Sequence, residues 1–340
     1  MRRALLLLAL FAASAAHAAI TITSVTPDHG PVTGGTQIVV RGSGFSYECR
    51  PDTPCFAPYL DFGGIRVEAR IEDSTRIVAT TPPHLPGEVP VYYAQATGVA
   101  ASTARFTFTG EASDAFERVL LPLFIPPVGG VNGALFMTSF DSRNLSEHPI
   151  DVFGFVPQCF FECIPQSPEL PTTVQPGSQA PLTYYNGNPG RFLYVRRDQL
   201  NDLAMNLRAF DQSRSQQNYG TELPVVREDE FTTKPLAFFD IPNNSRFRRM
   251  LRVYAAAPLS VTVTYNGRRE TLQLQAGGDR FEPAFASLAI PEVQGAIPET
   301  PPIEMRVVAE GAVPIWGFVS VTNNETQLIT TVTPQPRRKP

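Results

Sequence analysis

Histidine and lysine are the scarce residues of this chain. Among 340 residues there are 4 histidines, and lysine occurs only at Lys234 and Lys339. The shortage of lysine reads as a compositional bias rather than a mechanism. One histidine, His17, falls in the N-terminal leader, leaving His29, His84 and His148. No HExxH spacing joins any of them, and no GxSxG elbow is present, so the usual signatures of a zinc hydrolase and of a serine hydrolase are both missing. Each of the three reads as an exposed turn histidine. An excess of positive charge is also missing. The formal net charge is −4, and Arg2 and Arg3 lie in the leader, which argues against nucleic acid as a partner. Beyond the leader no run approaches the roughly 18 apolar residues that a membrane-spanning helix needs, so no transmembrane segment is expected in the mature chain.

The leader is distinctive. Arg2-Arg3 precede the apolar run Ala4 to Phe11, and Ala16-His17-Ala18 has the small-x-small form of a cleavage site. Residues 1–18 are expected to be removed, and the mature protein to be exported to the periplasm, the cell surface or the medium. No cysteine follows the leader directly, so no lipid anchor is expected there.

Proline is abundant, with 33 residues, and it cannot occupy helix interiors. Together with frequent Val, Thr, Phe and Tyr it predicts many short strands between Pro and Gly turns, hence an all-β fold. Hydrophobic residues make up 43% of the chain, enough for packed cores. The four cysteines form two close pairs, Cys49 with Cys55 and Cys159 with Cys163. Their spacings do not match zinc knuckles, and export favours oxidation, so two local disulfides are expected. Bridges over such short loops constrain the unfolded chain little and would mainly pin their own loops.

Residues Ile22 to Val25, the turn Pro27 to Gly30, Gly34-Gly35, the strand Thr36 to Arg41 and Gly42-Ser43-Gly44-Phe45 resemble the opening of an IPT/TIG domain. The resemblance continues through Ser74 to Pro83, Gly87 to Tyr93 and Ala104 to Thr109, and so covers residues 19–110. It implies an immunoglobulin-like sandwich and a surface-binding habit, and it names no ligand. Core candidates in this domain are Ile38, Val40, Phe45, Phe62, Val67, Ile77, Val89, Val91, Phe106 and Phe108. Arg118 to Phe124 and Trp316 to Pro334 resemble a region that follows IPT domains in exported bacterial proteins.

After a polar linker at 111–116, residues 115–333 keep a β pattern, as one large sandwich or two smaller lobes that would break near Thr232-Thr233-Lys234-Pro235. Strands are predicted over Arg118 to Ile125, Ala134 to Phe140, Ile150 to Val156, Arg191 to Arg196, Leu203 to Phe210, Met250 to Tyr254, Ile303 to Val308, Ile315 to Thr322 and Gln327 to Val332. Asn266-Gly267 between Leu259 to Tyr265 and Arg268 to Leu274 predicts a hairpin, because both turn positions need positive φ. Residues 334–340 read as a flexible basic tail.

Glu228-Asp229-Glu230 offers oxygens suited to calcium, but without EF-hand spacing it reads as a solvated acidic loop. Gly34-Gly35 and Gly42-Ser43-Gly44 open no helix and read as turns rather than phosphate cradles. Arg246, Arg248, Arg249 and Arg252 surround Phe247 and Leu251. Such a strand can present a basic, aromatic surface to an anionic glycan, although arginines at alternate strand positions are more often a wet face. Tyr184-Tyr185 beside Asn186-Gly187 offers rings for stacking on sugars. Arg248, Arg252, Tyr184 and Tyr185 are therefore the candidate ligand-binding residues. Asn144-Leu145-Ser146, Asn243-Asn244-Ser245 and Asn324-Glu325-Thr326 are sequons that mark polar turns. The expectation is a secreted or cell-surface binding or scaffold protein without catalytic residues, metal or cofactor. Its partner would be a cell-surface protein or polysaccharide. The alternative is a polysaccharide-processing enzyme or its carbohydrate-binding subunit.

Overall fold

The computed structural model describes residues 20–47, 57–95, 98–123, 127–155, 167, 169–182, 190–216, 218–291 and 301–334. The leader, all four cysteines, Tyr184, Tyr185 and the tail beyond Pro334 lie outside them. The expected cleavage, the two disulfides and the tyrosine pair therefore have no structural counterpart here. The chain divides into two compact units, Met1–Glu111 and Ala112–Pro340. The described residues are almost entirely β-strands joined by turns and single 3-10 turns.

Two sheets build the first unit. In one, Gln37–Ser43 lies between Thr21–Thr26 and Arg76–Thr80, with Ala101–Ser102 and Arg70–Asp73 at the edges. In the other, Arg105–Thr109, Gly87–Gln95 and Tyr59–Phe62 lie side by side, with His29–Pro31 and Ile65–Glu68 at the edges. Period-two alternation buries Ile38, Val40 and Ile77 on one inner face and Val91, Phe106 and Phe108 on the other. Phe62 meets Phe106 and Phe108 edge-on at 5.8 and 6.4 Å. Nine of the ten core candidates are buried. Val67 is only half-buried, because Ile65–Glu68 is an edge strand with no neighbour on its far side. Gly42 has a steric reason to be glycine: a Cβ there would stand 1.9 Å from the Thr21 carbonyl oxygen on the paired strand. His84 corrects the exposed-turn reading. It is buried and stacks on Phe108 at 4.9 Å, while His29 and His148 are exposed.

Four sheets build the second unit. Residues 116–227 supply two. One has the order Thr172–Val174, Ile150–Phe153, Arg191–Arg196, Phe116–Leu121, Val226–Arg227; the other is centred on Leu135–Asn144 and Leu203–Asp211. Residues 236–332 supply the second two. Leu236–Ile241, Ile303–Ala309, Leu259–Tyr265 and Arg268–Leu274 form one; Ala284–Ile290, Phe247–Ala255, Ile315–Asn323 and Ile329–Val332 form the other. The last two sheets share one core, in which Phe238, Val263 and Val307 meet Leu251, Val253 and Val319. The expected hairpin is present: Tyr265 pairs with Arg268, and Asn266 and Gly267 have φ of 45 and 70°. Several strand limits differ from expectation: Leu135–Asn144 runs past Phe140, and Phe247–Ala255 extends at both ends beyond the expected Met250 to Tyr254. Phe116–Leu121 ends before Pro122, which cannot donate to a ladder. The last strand begins at Ile329, since Gln327 sits in the preceding turn.

The loop at 275–283 joins the two pairs of sheets. Phe281 is fully buried, and its carbonyl accepts from Phe192 N at 2.6 Å. Its ring stands edge-on to Tyr194 at 5.5 Å and lies under the Arg191 guanidinium at 5.3 Å. Arg191 is 1% exposed; it donates through Nε to the Gly154 carbonyl at 2.6 Å and pairs with Asp279 at 3.4 Å. Arg191–Arg196 is thus buried on both faces.

Phe281→Ala is expected to cost about 3–5 kcal/mol, because the emptied space lies between sheets that cannot collapse independently. Urea denaturation checks this, and a loss below about 1 kcal/mol would show the loop to be dispensable. Asp211 supplies a pH-dependent contribution. Burial opposes its ionisation, but the Ser213 side chain, Leu135 N, Arg214 and Ser213 N outweigh burial and hold its carboxyl below the usual range. A depressed folded pKa gives stability that is present above about pH 3.9 and is lost as pH falls through the folded value. Asp211→Asn is expected to cost about 1–3 kcal/mol at neutral pH, with the gap to wild type closing under acid. A gap that stays constant down to about pH 3 would contradict this account.

Candidate functional site

The candidate site follows from the alternation of one strand. Leu251, Val253 and Ala255 of Phe247–Ala255 point into the core of the last two sheets. Arg248, Met250, Arg252 and Tyr254 therefore project from the opposite face. Register places Arg252 opposite Phe318 and Ser287, Met250 opposite Ser320 and Ala289, and Arg248 opposite Thr322. That outer face is not simply wet. Arg248, Met250, Arg252 and Ser320 line a cavity of about 490 Å³, whose other wall includes Phe136 and Leu223 from the preceding sheets. The edge strand Ala284–Ile290 exposes Ser287 and Ala289 beside it.

Tyr254 closes one end of this face. Its hydroxyl donates to the Pro122 carbonyl, and its ring packs against Phe285, Trp316 and Phe318 at 5.2, 6.2 and 6.5 Å. Complete burial pushes its hydroxyl pKa well above the ordinary tyrosine value. Gly190 admits the ring, since a Cβ there would lie 2.8 Å from it.

The electrostatics of the two arginines set them apart. Arg248 donates through Nη1 to Asn324 Oδ1 at 3.2 Å and through Nη2 to Gln327 Oε1 at 2.8 Å. Its guanidinium lies 5.7 Å from the Phe136 ring. Arg252 donates through Nη1 to Ser320 Oγ at 2.7 Å and lies 5.7 Å from the Phe318 ring. All of these acceptors are neutral. Elsewhere in the same unit, Arg118, Arg191, Arg196, Arg214 and Arg280 pair with carboxylates. Among the described residues no carboxylate pairs with Arg248 or Arg252. Burial lowers the pKa of both, yet a guanidinium stays charged at any physiological pH. The arrangement holds two positive charges in an apolar recess without cancelling them, and such a recess attracts anions.

Arg248 and Arg252 are legible from composition, and what surrounds them is not. Met250, Phe136 and Ser320 carry no motif. Gln327 has φ of 61°, is 1% exposed, and donates through Nε2 to the Asn323 and Asn324 carbonyls at 3.3 and 2.6 Å. The acidic run Glu228-Asp229-Glu230 is committed elsewhere: Glu228 pairs with Arg118, and Glu230 accepts from Arg227 N at 3.0 Å. No cluster of three metal-ligating side chains occurs among the described residues. Asn144 is fully buried and donates to the His148 and Val174 carbonyls at 2.7 and 2.9 Å, so its sequon is a turn anchor. A second cleft of about 290 Å³ near Arg118, Tyr194 and Arg280 includes Asp279 and Glu282, the carboxylates that face Arg191.

The architecture defines an all-β protein with an N-terminal immunoglobulin-like sandwich. Residues 21–109 match the IPT/TIG domain family, so this stretch of the first unit is an IPT/TIG domain. No curated protein matches the chain. Among solved structures, it is similar to the gamma-CGTase of alkalophilic Bacillus clarkii, with 18% identity over 62% of this chain and 25% of that one, at a TM-score of 0.22. It is also similar to SGBP-B of the Bacteroides ovatus mixed-linkage glucan utilization locus, solved with a mixed-linkage heptasaccharide. There the identity is 11% over 88% of this chain and 71% of that one, at a TM-score of 0.17.

Two arginines with opposite surroundings test the electrostatic account. Arg252→Met keeps apolar volume and removes an uncompensated charge, so stability is expected to stay level or rise by about 1 kcal/mol. Arg191→Met strands two carboxylates and a buried carbonyl, and is expected to cost about 3 kcal/mol. Chemical denaturation of the two variants checks both. Similar losses from each would assign Arg252 a structural role.

Proposed function

We propose that this is an exported, non-catalytic binding or scaffold protein of the cell surface that recognises an envelope partner or polysaccharide through the Arg248–Arg252 face. One observation carries the proposal: two arginines without carboxylate partners line a single recess and are held in place by neutral oxygens. Neutral acceptors fix a guanidinium while leaving its charge available to a ligand. The IPT/TIG domain fits the same role, as a β-sandwich module whose loops can carry recognition.

Binding is favoured over turnover by the lining of the recess. Glycoside hydrolysis employs two carboxylates flanking the bond, and the described lining brings hydroxyls and guanidiniums instead. Export is supported by the leader, with cleavage after Ala18 expected.

The test uses the mature full-length chain. It should bind immobilised acidic surface polysaccharide or envelope extract and release no reducing ends from any polysaccharide it binds. Arg248→Ala combined with Arg252→Ala should weaken that binding about tenfold or more. Unchanged binding by the double variant would remove this face from recognition. Cleavage of a glycan, abolished by one carboxylate substitution, would make the protein an enzyme instead.

A further inference from the structure

The recess has a composition that suits one chemical class of ligand. Its floor and far wall are apolar: Met250 lies between the two arginines on the strand, and Phe136, Leu223 and Ile329 face them. A neutral polysaccharide would leave that surface poorly matched, since sugars offer hydroxyls at nearly every position. The polar groups come from two paired strands, with Arg248 and Arg252 on Phe247–Ala255 and Ser320 and Thr322 on Ile315–Asn323. Arg252 commits only Nη1, to Ser320. Among the described residues nothing accepts from its Nε or Nη2, the two donors that form the bidentate edge for a carboxylate. Arg248 adds a second positive charge on the same face, held by Asn324 and by the buried Gln327.

Resting on the binding reading above, we propose that this recess takes an amphipathic carboxylate, with its head on the Nε–Nη2 edge of Arg252 and its apolar body over Met250 and Phe136. The volume admits a ligand on the order of ten to fifteen heavy atoms, at about 30 Å³ for each water-sized group. Two sources share this chemistry, an aliphatic acid of medium chain length and an aromatic acid, and the recess discriminates between them by shape alone. Gln327 is a positioning residue. Its left-handed backbone and its two Nε2 bonds aim Oε1 at Arg248. A carboxylate at that position would neutralise Arg248 from within.

The experiment measures binding to the mature full-length protein by calorimetry and by thermal shift. The probes are decanoate, 1-naphthoate, decanol, acetate and polygalacturonate. Decanoate or naphthoate is expected to bind and raise the melting temperature, and whichever binds more tightly identifies the source. Decanol, which lacks the charge, and acetate, which lacks the body, are each expected to bind about tenfold or more weakly. Arg252→Met should lose decanoate or naphthoate binding about tenfold or more while its ligand-free melting temperature does not fall. Gln327→Glu should weaken the same acids without touching the head-group edge. If Gln327→Glu fails to fold, the Arg252→Met result decides.

Equal binding of decanol and decanoate, undiminished acid binding by Arg252→Met, or no binding of either amphipathic acid would each overturn the inference. If polygalacturonate binds through Arg248 and Arg252 while the amphipathic acids do not, this inference fails and the binding reading stands. If no acid and no envelope component binds, both fail.

Discussion

Phe247–Ala255 is covered on both faces, and that constraint governs the second unit. One set of alternate side chains, Leu251, Val253 and Ala255, belongs to the core between the last two sheets. The other set meets side chains from the preceding sheets across a recess. A strand in that position leaves Arg248, Met250 and Arg252 only partly exposed, with little solvent face for long cations. Its arginines must be paired, snorkel to an edge, or line a cavity. The register opposite Phe318, Ser320 and Thr322 supplies rings and hydroxyls rather than carboxylates, so lining a cavity is what remains. At the far end of the same face Tyr254 fills the space with its ring and ties its hydroxyl to Pro122. The recess therefore exists where the packing changes from aromatic to cationic along one strand.

The same unit shows the opposite solution at Arg191. That guanidinium is also enclosed, but it is satisfied by the Gly154 carbonyl, by Asp279 and by the Phe281 ring. Enclosure with full pairing makes a seam, and here it joins the loop at 275–283 to the strand Arg191–Arg196. Enclosure with neutral partners makes a site. The difference lies in the charge of the acceptors rather than in the burial of the cation. Leaving a guanidinium partly desolvated without a counter-charge is unfavourable for the free protein, and a fold tolerates it where an anion from outside completes the arrangement.

Much of the architecture was legible in local chemistry. Asn266-Gly267 fixed a hairpin because few other residue pairs accept two positive φ values in succession. Gly42, read as part of a turn, lies instead inside the strand Gln37–Ser43, where the Thr21 carbonyl of the paired strand leaves no room for a Cβ. The IPT/TIG resemblance together with strand and turn spacing pointed to Ile38, Val40, Phe106 and Phe108 as core, and all four are buried. Reading failed where a residue's surroundings come from distant sequence. Val67 alternates correctly but lies on an edge strand, and nothing local announces an edge. His84 follows two prolines in what reads as an exposed turn, yet the turn folds under Phe108. Arg248 and Arg252 stood out by composition, but whether their face is wet depends on Phe136 and Leu223, more than 100 and about 25 residues away in the chain. The role of Arg191 is not legible locally, because its partners lie 37 and 88 residues away.

Gln327 shows how such a site can be maintained without any motif. A non-glycine residue at φ of 61° carries a backbone cost of about 1–3 kcal/mol. The turn recovers part of it locally: Asn323 Oδ1 accepts from Glu325 N and Thr326 N, and the Gln327 amide donates to two carbonyls. After those bonds its one free polar atom is Oε1, and that atom meets Arg248. Glutamate would fit the same volume and would bind the guanidinium more strongly, but it would lose the two donors and cancel the charge. Asparagine would fall short by one methylene. The residue in place is thus the one that satisfies the turn, orients the arginine and leaves it cationic, three demands that only an uncharged donor–acceptor side chain of that length meets together.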